Sequence, residues 1–187
     1  MTTLYLVRHG EVHNPEGIIY GRLPGFGLSE AGRRQLAAAA ELLAGEGPLA
    51  ALYASPMQRA QESAAIIAAR LGMAVETAEP LVETSIGGYQ GRPFSDLPRP
   101  YITETPTHAG IECAASIRSR LLGWAEDASR RHPDARFVAV SHRDPIAVVL
   151  LHWQGKGLDE LPGYPLAPGA VNRIEFGAGP ARVTPLA

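Results

Sequence analysis

Hydrophobic positions along the chain alternate between short apolar runs and longer segments with a helical period. The short runs predict strands, and they fall at Leu4–Val7, Leu49–Tyr53, Ala74–Thr77, Arg136–Val140, Val171–Phe176 and Arg182–Thr184. The last two runs close the chain without a long helical segment between them. One of these two closing strands is therefore expected to be antiparallel.

Between the strands, apolar residues recur every three or four positions and predict four amphipathic helices. These run from the cap Ser29 to Gly45, from Ser55-Pro56 to Gly72, from about Glu112 to Arg131, and onward from Asp144-Pro145. Ser55-Pro56 and Asp144-Pro145 each combine an N-cap residue with a proline, which is a strong helix-start signal.

Alternation of strands and helices is typical of an α/β fold, a three-layer sandwich with a mostly parallel central sheet and helices on both faces. The segment Thr84–Gly110 has no hydrophobic period and carries four glycines and four prolines. Such a long loop inside a compact domain usually serves as a lid or a binding loop. Ligands of such sheets bind outside the carboxyl ends of the strands.

Composition narrows the class of protein. The 187 residues are 45% hydrophobic and 19% charged, which fits one globular domain over residues 1–187. The net charge of −2 indicates neither a nucleic-acid nor an anionic-membrane partner. No apolar run approaches ~20 residues and the chain starts without a basic leader, so no membrane span, no signal peptide and a cytoplasmic location are expected. Cys113 is the only cysteine, which excludes an intrachain disulfide.

Polar residues follow three of the predicted strands directly. Arg8 and His9 come after the first, Arg59 lies in the first turn after the second, and His142 follows Arg136–Val140. Parallel strands would bring these groups to one edge of the sheet, beside helix N-termini that favour anions. There a neutral imidazole can attack phosphorus while arginines neutralise its equatorial oxygens. A carboxylic acid is still needed to protonate the leaving group.

The chain resembles the histidine phosphatase superfamily, the phosphoglycerate mutase-like proteins. The resemblance starts at Leu6-Val7-Arg8-His9-Gly10-Glu11 and continues in the family's order through four further elements. These are Asn14 with Gly21-Arg22 and Leu28-Ser29-Glu30-Ala31-Gly32, then Ser55-Pro56-Met57-Gln58-Arg59-Ala60, Leu81-Val82-Glu83, and Val140-Ser141-His142. Five motifs in order over residues 4 to about 146 are specific, whereas the arginine-histidine-glycine triplet alone is weak.

The resemblance implies a role for each matched position. The implied roles are phosphohistidine for His9, general acid and then base for Glu83, phosphoryl-oxygen ligands for Arg8, Arg59 and His142, pocket lining for Asn14, and contact with the rest of the substrate for Arg22. The family works without a metal or an organic cofactor, apart from the bisphosphoglycerate primer of the mutases, so none is expected here. The expected partner is a small phosphorylated substrate, and the oligomeric state, with a homodimer as one option, stays open.

Two residues beside the second histidine allow alternatives. Arg143 replaces the family's usual glycine and either adds positive charge beside the pocket or points to solvent. Asp144 competes as an acid, since some branches of the family take their proton donor from this region, but its simpler interpretation is the N-cap before Pro145. We expect the cap.

The function expected from the resemblance is hydrolysis of a small-molecule phosphate monoester through a phosphohistidine. The alternative is a phosphoglycerate mutase, which shares the first half-reaction. This chain has little room for the insertions that mutases carry, and Gly110-Ile111-Glu112 before a helix is more like the phosphatase branch. A non-catalytic phospho-ligand binding module is a third hypothesis. A metal-dependent hydrolase built on His9, His13, His142 and Asp144 is disfavoured, because Gly10 and Asn14-Pro15 argue against the helix that would put His9 and His13 on one face.

Overall fold

The computed structural model describes residues 1–186 and contains one six-stranded sheet. Its strands are β1 Thr2–Arg8, β2 Ala51–Ala54, β3 Glu76–Thr77, β4 Arg136–Ser141, β5 Val171–Phe176 and β6 Arg182–Leu186. Their order is β3-β2-β4-β1-β5-β6. β5 is antiparallel to both of its neighbours, and the other pairings are parallel. The sheet is therefore mostly parallel, with one reversed strand near the end of the chain, as predicted.

Helices cover both faces of this sheet. They are α1 Glu30–Gly45, α2 Gln58–Leu71, α3 Ala114–Arg131 and α4 Arg143–Trp153. The buried residues of α1 and α2 form one hydrophobic cluster with the sheet, and those of α3 and α4 form the other. β4 supplies both clusters, because Phe137 and Ala139 face one side while Val138 and Val140 face the other. This is the predicted three-layer α/β sandwich.

The start of α2 differs from the prediction. α2 begins at Gln58 with Met57 as its N-cap, so Ser55-Pro56 is not the cap pair. The reason is that Ser55 still belongs to the sheet: its backbone N–H donates to the carbonyl oxygen of Val140 at 2.9 Å. Its side-chain Oγ accepts from the Met57 N–H at 3.3 Å.

The start of α4 also differs. Its N-cap is His142 and its first residue is Arg143, which places Asp144 and Pro145 inside the first turn. The interpretation of Asp144 as the N-cap is therefore wrong. Every N–H group in the first turn of a helix lacks an intrahelical partner, so proline is tolerated throughout that turn. A proline there therefore does not identify which residue is the N-cap.

The aperiodic segment Thr84–Gly110 is structured and lies beside the loop that follows β1. It contains short 3₁₀ helices at Gly87–Tyr89 and Phe94–Asp96. Isolated bridges join Ile86 to Ile111 and Pro93 to Ile18. These pairings bring the segment over the carboxyl ends of the strands. No helix within residues 1–186 has the length and apolarity needed to cross a membrane.

Candidate active site

His9 follows β1 directly and is almost fully buried. Its Nδ1 lies 2.7 Å from the carbonyl oxygen of Gly10, a contact that assigns the ring proton to Nδ1. The lone pair is then on Nε2, which accepts from Nε of Arg59 at 3.3 Å. Burial, reinforced by the Arg59 charge, lowers the pKa of His9 to about 3. The imidazole is therefore neutral at physiological pH, the state that a nucleophile requires.

Arg59 joins the elements of the site. Its guanidinium is fully buried and extends from the first turn of α2. Nη2 donates to the carbonyl oxygen of Gly21 at 2.8 Å and lies 3.4 Å from Oε2 of Glu83. The Tyr20 ring packs against the same guanidinium, 4.7 Å from its central carbon to the ring centroid. These contacts hold one cation against both the candidate nucleophile and the candidate acid.

His142 is buried beside His9, with the two ring centroids 5.1 Å apart. Its Nε2 is 2.7 Å from Oγ of Ser55. The Ser55 hydroxyl can donate its own proton to His142 Nε2. The Glu83 carboxyl oxygen Oε2, 3.5 Å from Nδ1, favours the ring proton on Nδ1. Burial and the Arg59 charge hold the pKa of His142 well below its usual value.

Glu83 is the carboxyl group of the cluster, and its side chain is 13% exposed. Oε1 accepts from the Thr84 N–H at 2.8 Å, while Oε2 is directed toward Arg59 and His142. Burial raises the pKa of Glu83 to about 7, with Arg59 opposing the rise and Asp144 adding to it. A carboxyl group with this pKa is populated in both protonation states near neutral pH, which suits a group that gives and later takes a proton.

A cavity of about 190 Å³ opens on this cluster, and Arg8, His9, Glu83 and Thr84 line it. Among residues 1–186, four buried side-chain polar atoms have no hydrogen-bond partner. Three of them belong here, namely Arg8 Nε, His142 Nδ1 and Thr84 Oγ1. Buried polar groups are nearly always paired, so three unpaired donors in one place indicate a site for an oxygen-rich anion.

A family model described as the histidine phosphatase superfamily (branch 1) matches residues 4–186. The chain belongs to this superfamily. The uncharacterized protein Rv0525 of Mycobacterium tuberculosis is 41% identical over 169 residues, 84% of this chain and 81% of that protein. Phosphoserine phosphatase 1 of Hydrogenobacter thermophilus is 31% identical over 156 residues, 78% and 73% of the two chains. The solved structure of Bacillus stearothermophilus YhfR superposes with a TM-score of 0.86 at 25% identity, covering 99% of this chain and 96% of that one. Superfamily and named relatives together support a phosphatase.

Five of the seven site residues predicted from the histidine phosphatase motifs lie together in the structure. These are Arg8, His9, Arg59, Glu83 and His142. Arg8 is positioned by a hydrogen bond from Nη1 to the carbonyl oxygen of Leu166 at 2.6 Å, and burial lowers the pKa of its guanidinium. Its Nε is left free toward the cavity.

The side chains of the other two predicted residues bond to backbone atoms and to Glu112. Asn14 closes its own loop: Nδ2 donates to the Ile18 carbonyl oxygen at 2.9 Å, and Oδ1 accepts from the Ile18 N–H at 3.3 Å. Arg22 braces the acid-bearing segment, with Nε donating to the backbone oxygen of Glu83 at 2.7 Å and Nη2 reaching Glu112 at 3.4 Å. Both side chains are engaged with the protein.

Arg143 and Asp144 both line the cavity. Arg143 does not point to solvent: its Nη1 donates to Asp144 at 2.9 Å and its Nη2 to the Leu161 carbonyl oxygen at 3.0 Å. Asp144 also accepts from the Tyr101 hydroxyl. Of the two alternatives for Arg143, the structure supports the charge beside the pocket.

Sequence reasoning missed Thr84, Tyr20 and Tyr101 as cavity residues and the contact between Ser55 and His142. Thr84 could have been noticed as the neighbour of Glu83. Tyr20 and Tyr101 lie in aperiodic loops, and no pattern in the sequence distinguishes them from solvent-exposed tyrosines. The local sequence Ser55-Pro56 indicates a helix cap and gives no sign of a contact with His142.

The donor atoms of His9, Glu83 and His142 lie within 4.8 Å of one another, a spacing that a metal ion could bridge. The chemistry of the set fits a cation poorly. His9 Nε2 already accepts from Arg59, the His142 nitrogen facing the cavity carries a proton, and a guanidinium lies beside both. Metal ligation needs free lone pairs, whereas an anion needs these N–H donors.

Proposed function

We propose that this protein hydrolyses a small-molecule phosphate monoester through a phosphohistidine on His9, with Glu83 as general acid and base. The observation that carries the proposal is the neutral His9, whose Nε2 lies 3.3 Å from Arg59 beside buried donors without partners. Nucleophile, charge stabilisation and proton source are all within reach of one phosphoryl group.

In the first step the substrate phosphoryl group takes up the unpaired donors. Arg8, Arg59 and the Nδ1–H of His142 contact its non-bridging oxygens, where negative charge must be stabilised. Nε2 of His9 forms a bond to phosphorus as the ester P–O bond breaks. Glu83, protonated below its pKa of about 7, gives its proton to the departing alkoxide oxygen. The alcohol leaves, and phosphohistidine and a carboxylate remain.

In the second step water displaces the histidine. The Glu83 carboxylate removes a proton from the attacking water, the new P–O bond forms, and the N–P bond breaks. Inorganic phosphate is released, His9 regains its neutral ring, and Glu83 is protonated again. Atoms and charges balance without a metal or an organic cofactor.

The experiment that tests this proposal removes the nucleophile. His9→Ala is expected to abolish turnover of 4-nitrophenyl phosphate, and rapid quench of the wild type with labelled substrate in alkaline denaturing detergent is expected to trap an acid-labile, alkali-stable phosphoenzyme. His13→Ala is the matched control, because His13 is exposed and outside the cavity lining. Full activity of His9→Ala, or tight phosphate binding with no phosphoenzyme, would overturn the proposal.

A mutase would pass the same first test, so a second assay is needed. The wild type is incubated with 3-phosphoglycerate and a bisphosphoglycerate primer, and isomerisation is compared with release of inorganic phosphate. We expect phosphate release without isomerisation. Isomerisation faster than release would replace hydrolysis with the mutase reaction.

A further inference from the structure

A second, larger cavity lies next to the catalytic one. It is a groove of about 810 Å³ between the loop of residues 94–104 and the 3₁₀ helix Leu158–Gly163. Phe94, Leu97, Tyr101 and Arg143 line both cavities, so the groove adjoins the space beside His9.

The lining of the groove is mainly apolar. The apolar contributors are Phe94, Leu97, Pro98, Pro100, Ile102 and Leu158. Phe94 is 52% exposed, which is unusual in this chain, where large hydrophobic side chains are mostly buried. An exposed aromatic residue on an apolar groove beside a reactive centre is typical of a ligand-binding surface.

The polar groups nearby are mostly satisfied within the protein. Arg143 is occupied by Asp144 and backbone carbonyl oxygens, and Glu104 is paired with Arg118. The carboxylates of Asp144 and Glu83 both lie at the cavity. Arg99 also lines the groove, so its polar rim carries a cation as well as carboxylates and does not by itself exclude a charged leaving group.

From this arrangement we infer that the groove binds the leaving group of the substrate and favours phosphate monoesters of apolar alcohols, with efficiency rising with the length of the apolar chain. The inference rests on the proposed phosphatase function and names the substrate class of that same site. It assigns the occupant because the groove adjoins the catalytic cavity and its lining is mainly apolar.

The test is a series of n-alkyl phosphates from ethyl to hexyl. Their leaving alcohols have nearly equal pKa values, so changes in kcat/KM report binding of the chain and not the intrinsic reactivity. Each methylene that enters the groove is expected to raise kcat/KM about fourfold. A series in which kcat/KM does not rise with chain length would overturn the inference.

Two variants assign the effect to the groove. Phe94→Ala is expected to lower the hexyl-to-ethyl ratio of kcat/KM about three- to tenfold, since the exposed ring is removed without disturbing a packed core. Leu42→Ala is the matched control, because Leu42 is also an exposed apolar residue but lies on α1, outside both cavities. Equal chain-length dependence in both variants would contradict the assignment.

A binding measurement separates this inference from the phosphatase proposal. Alkylphosphonates of increasing length are titrated into His9→Ala, which cannot form a phosphoenzyme. Suppose that binding tightens with alkyl chain length but the wild type turns over no ester. This result would support the groove assignment and reject the phosphatase proposal. His9-dependent turnover with no length dependence in either assay would retain the phosphatase and reject the groove.

Discussion

Ionisable side chains line one cavity at the carboxyl edge of the central sheet, where the parallel strands end, and another at the amino edge, where they begin. Those at the carboxyl edge are partly unpaired, and those at the amino edge are mostly paired with one another. At the carboxyl edge, His9 and Glu83 line a small cavity, and unpaired polar atoms of Arg8, Thr84 and the adjacent His142 lie there. At the amino edge, a larger cavity of about 630 Å³ is lined by Tyr5, Glu46 and arginines. There the Tyr5 hydroxyl donates to Glu46 at 2.7 Å, and Nη1 of Arg173 lies 3.5 Å from the same carboxylate.

The difference shows that volume does not identify the reactive site. At the amino edge the charges are mostly paired with one another, although Nε of Arg173 has no partner among residues 1–186, and burial together with the Glu46 hydrogen bond raises the pKa of Tyr5. At the carboxyl edge burial outweighs pairing, so it lowers the histidine pKa values and raises that of Glu83. Perturbed ionisation with free donors is what a phosphoryl group can use.

The largest effect is expected from exchanging one arginine at each edge. Arg59→Met removes the cation beside His9 and is expected to lower kcat/KM for 4-nitrophenyl phosphate by about 10³- to 10⁵-fold. Arg173→Met, at the amino edge, is expected to leave kcat/KM within about twofold. Circular dichroism and thermal unfolding of both variants check that they fold. A loss of under tenfold in Arg59→Met would contradict the assignment of Arg59 to the transition state.

The carboxylates form the second matched pair. Glu83→Gln removes the proton donor and is expected to slow hydrolysis of an alkyl phosphate by about 10²- to 10⁴-fold. Glu46→Gln at the amino edge is expected to have no effect on rate. In single-turnover experiments with Glu83→Gln, the loss is expected to be smaller for 4-nitrophenyl phosphate, whose leaving group needs little protonation. An equal loss on both esters would reject Glu83 as the acid.

The raised pKa of Glu83 also has a cost in stability. Between its ordinary pKa of 4.5 and about 7, the unfolded chain has released this proton while the folded protein keeps it. Rising pH therefore favours unfolding across that window, and the contribution of Glu83 is complete below pH 4.5 and lost by about pH 7. At about 1.4 kcal/mol per pKa unit, the upper bound is roughly 3 kcal/mol.

Glu83→Gln does not titrate and is expected to lack this decline. The free energy of unfolding of both proteins is measured with urea at pH 5 and pH 8. The value for the variant minus the value for the wild type is expected to be larger at pH 8. The difference between the two proteins cancels the other titrating groups. A difference that does not change with pH would show that the pKa of Glu83 is close to its ordinary value.

Much of the fold could be predicted because its central strands are buried on both sides. β4 reads as a continuous apolar run, and its residues divide between two helical layers. Helix starts were less predictable. Ser55-Pro56 has the local chemistry of a cap, but pairing of Ser55 with Val140 extends the sheet past that point. A local sequence motif carries no information about a hydrogen bond to a strand that lies far along the chain.

The same limit applies to the site. His9, Arg59 and His142 could be placed together because each follows a strand of one sheet. Asn14 and Arg22 match motifs equally well, yet their side chains are turned to loop backbone. Tyr101 reaches the cavity from the long loop, whose path depends on tertiary pairings with no sequence period.

Ser55 offers the smallest expected effect and the finest test of the carboxyl edge. Its hydroxyl fixes the His142 ring with the proton on Nδ1, the nitrogen that faces the cavity. In Ser55→Ala, Nε2 is buried without this donor and competes for the ring proton. We expect kcat to fall about ten- to a hundredfold, a smaller loss than in Arg59→Met because the charge at the site is retained.

A tautomer measurement distinguishes this positioning role from simple loss of packing. Nitrogen-15 NMR of the His142 ring is expected to report the Nδ1–H tautomer in the wild type and a mixture in Ser55→Ala. Ser55→Thr keeps the hydroxyl and is expected to restore both the tautomer and most of the rate. If Ser55→Ala lost activity while the tautomer stayed unchanged, Ser55 would act through the packing of the β2–α2 junction. The unpaired donor at His142 would then be fixed by the burial of the ring alone.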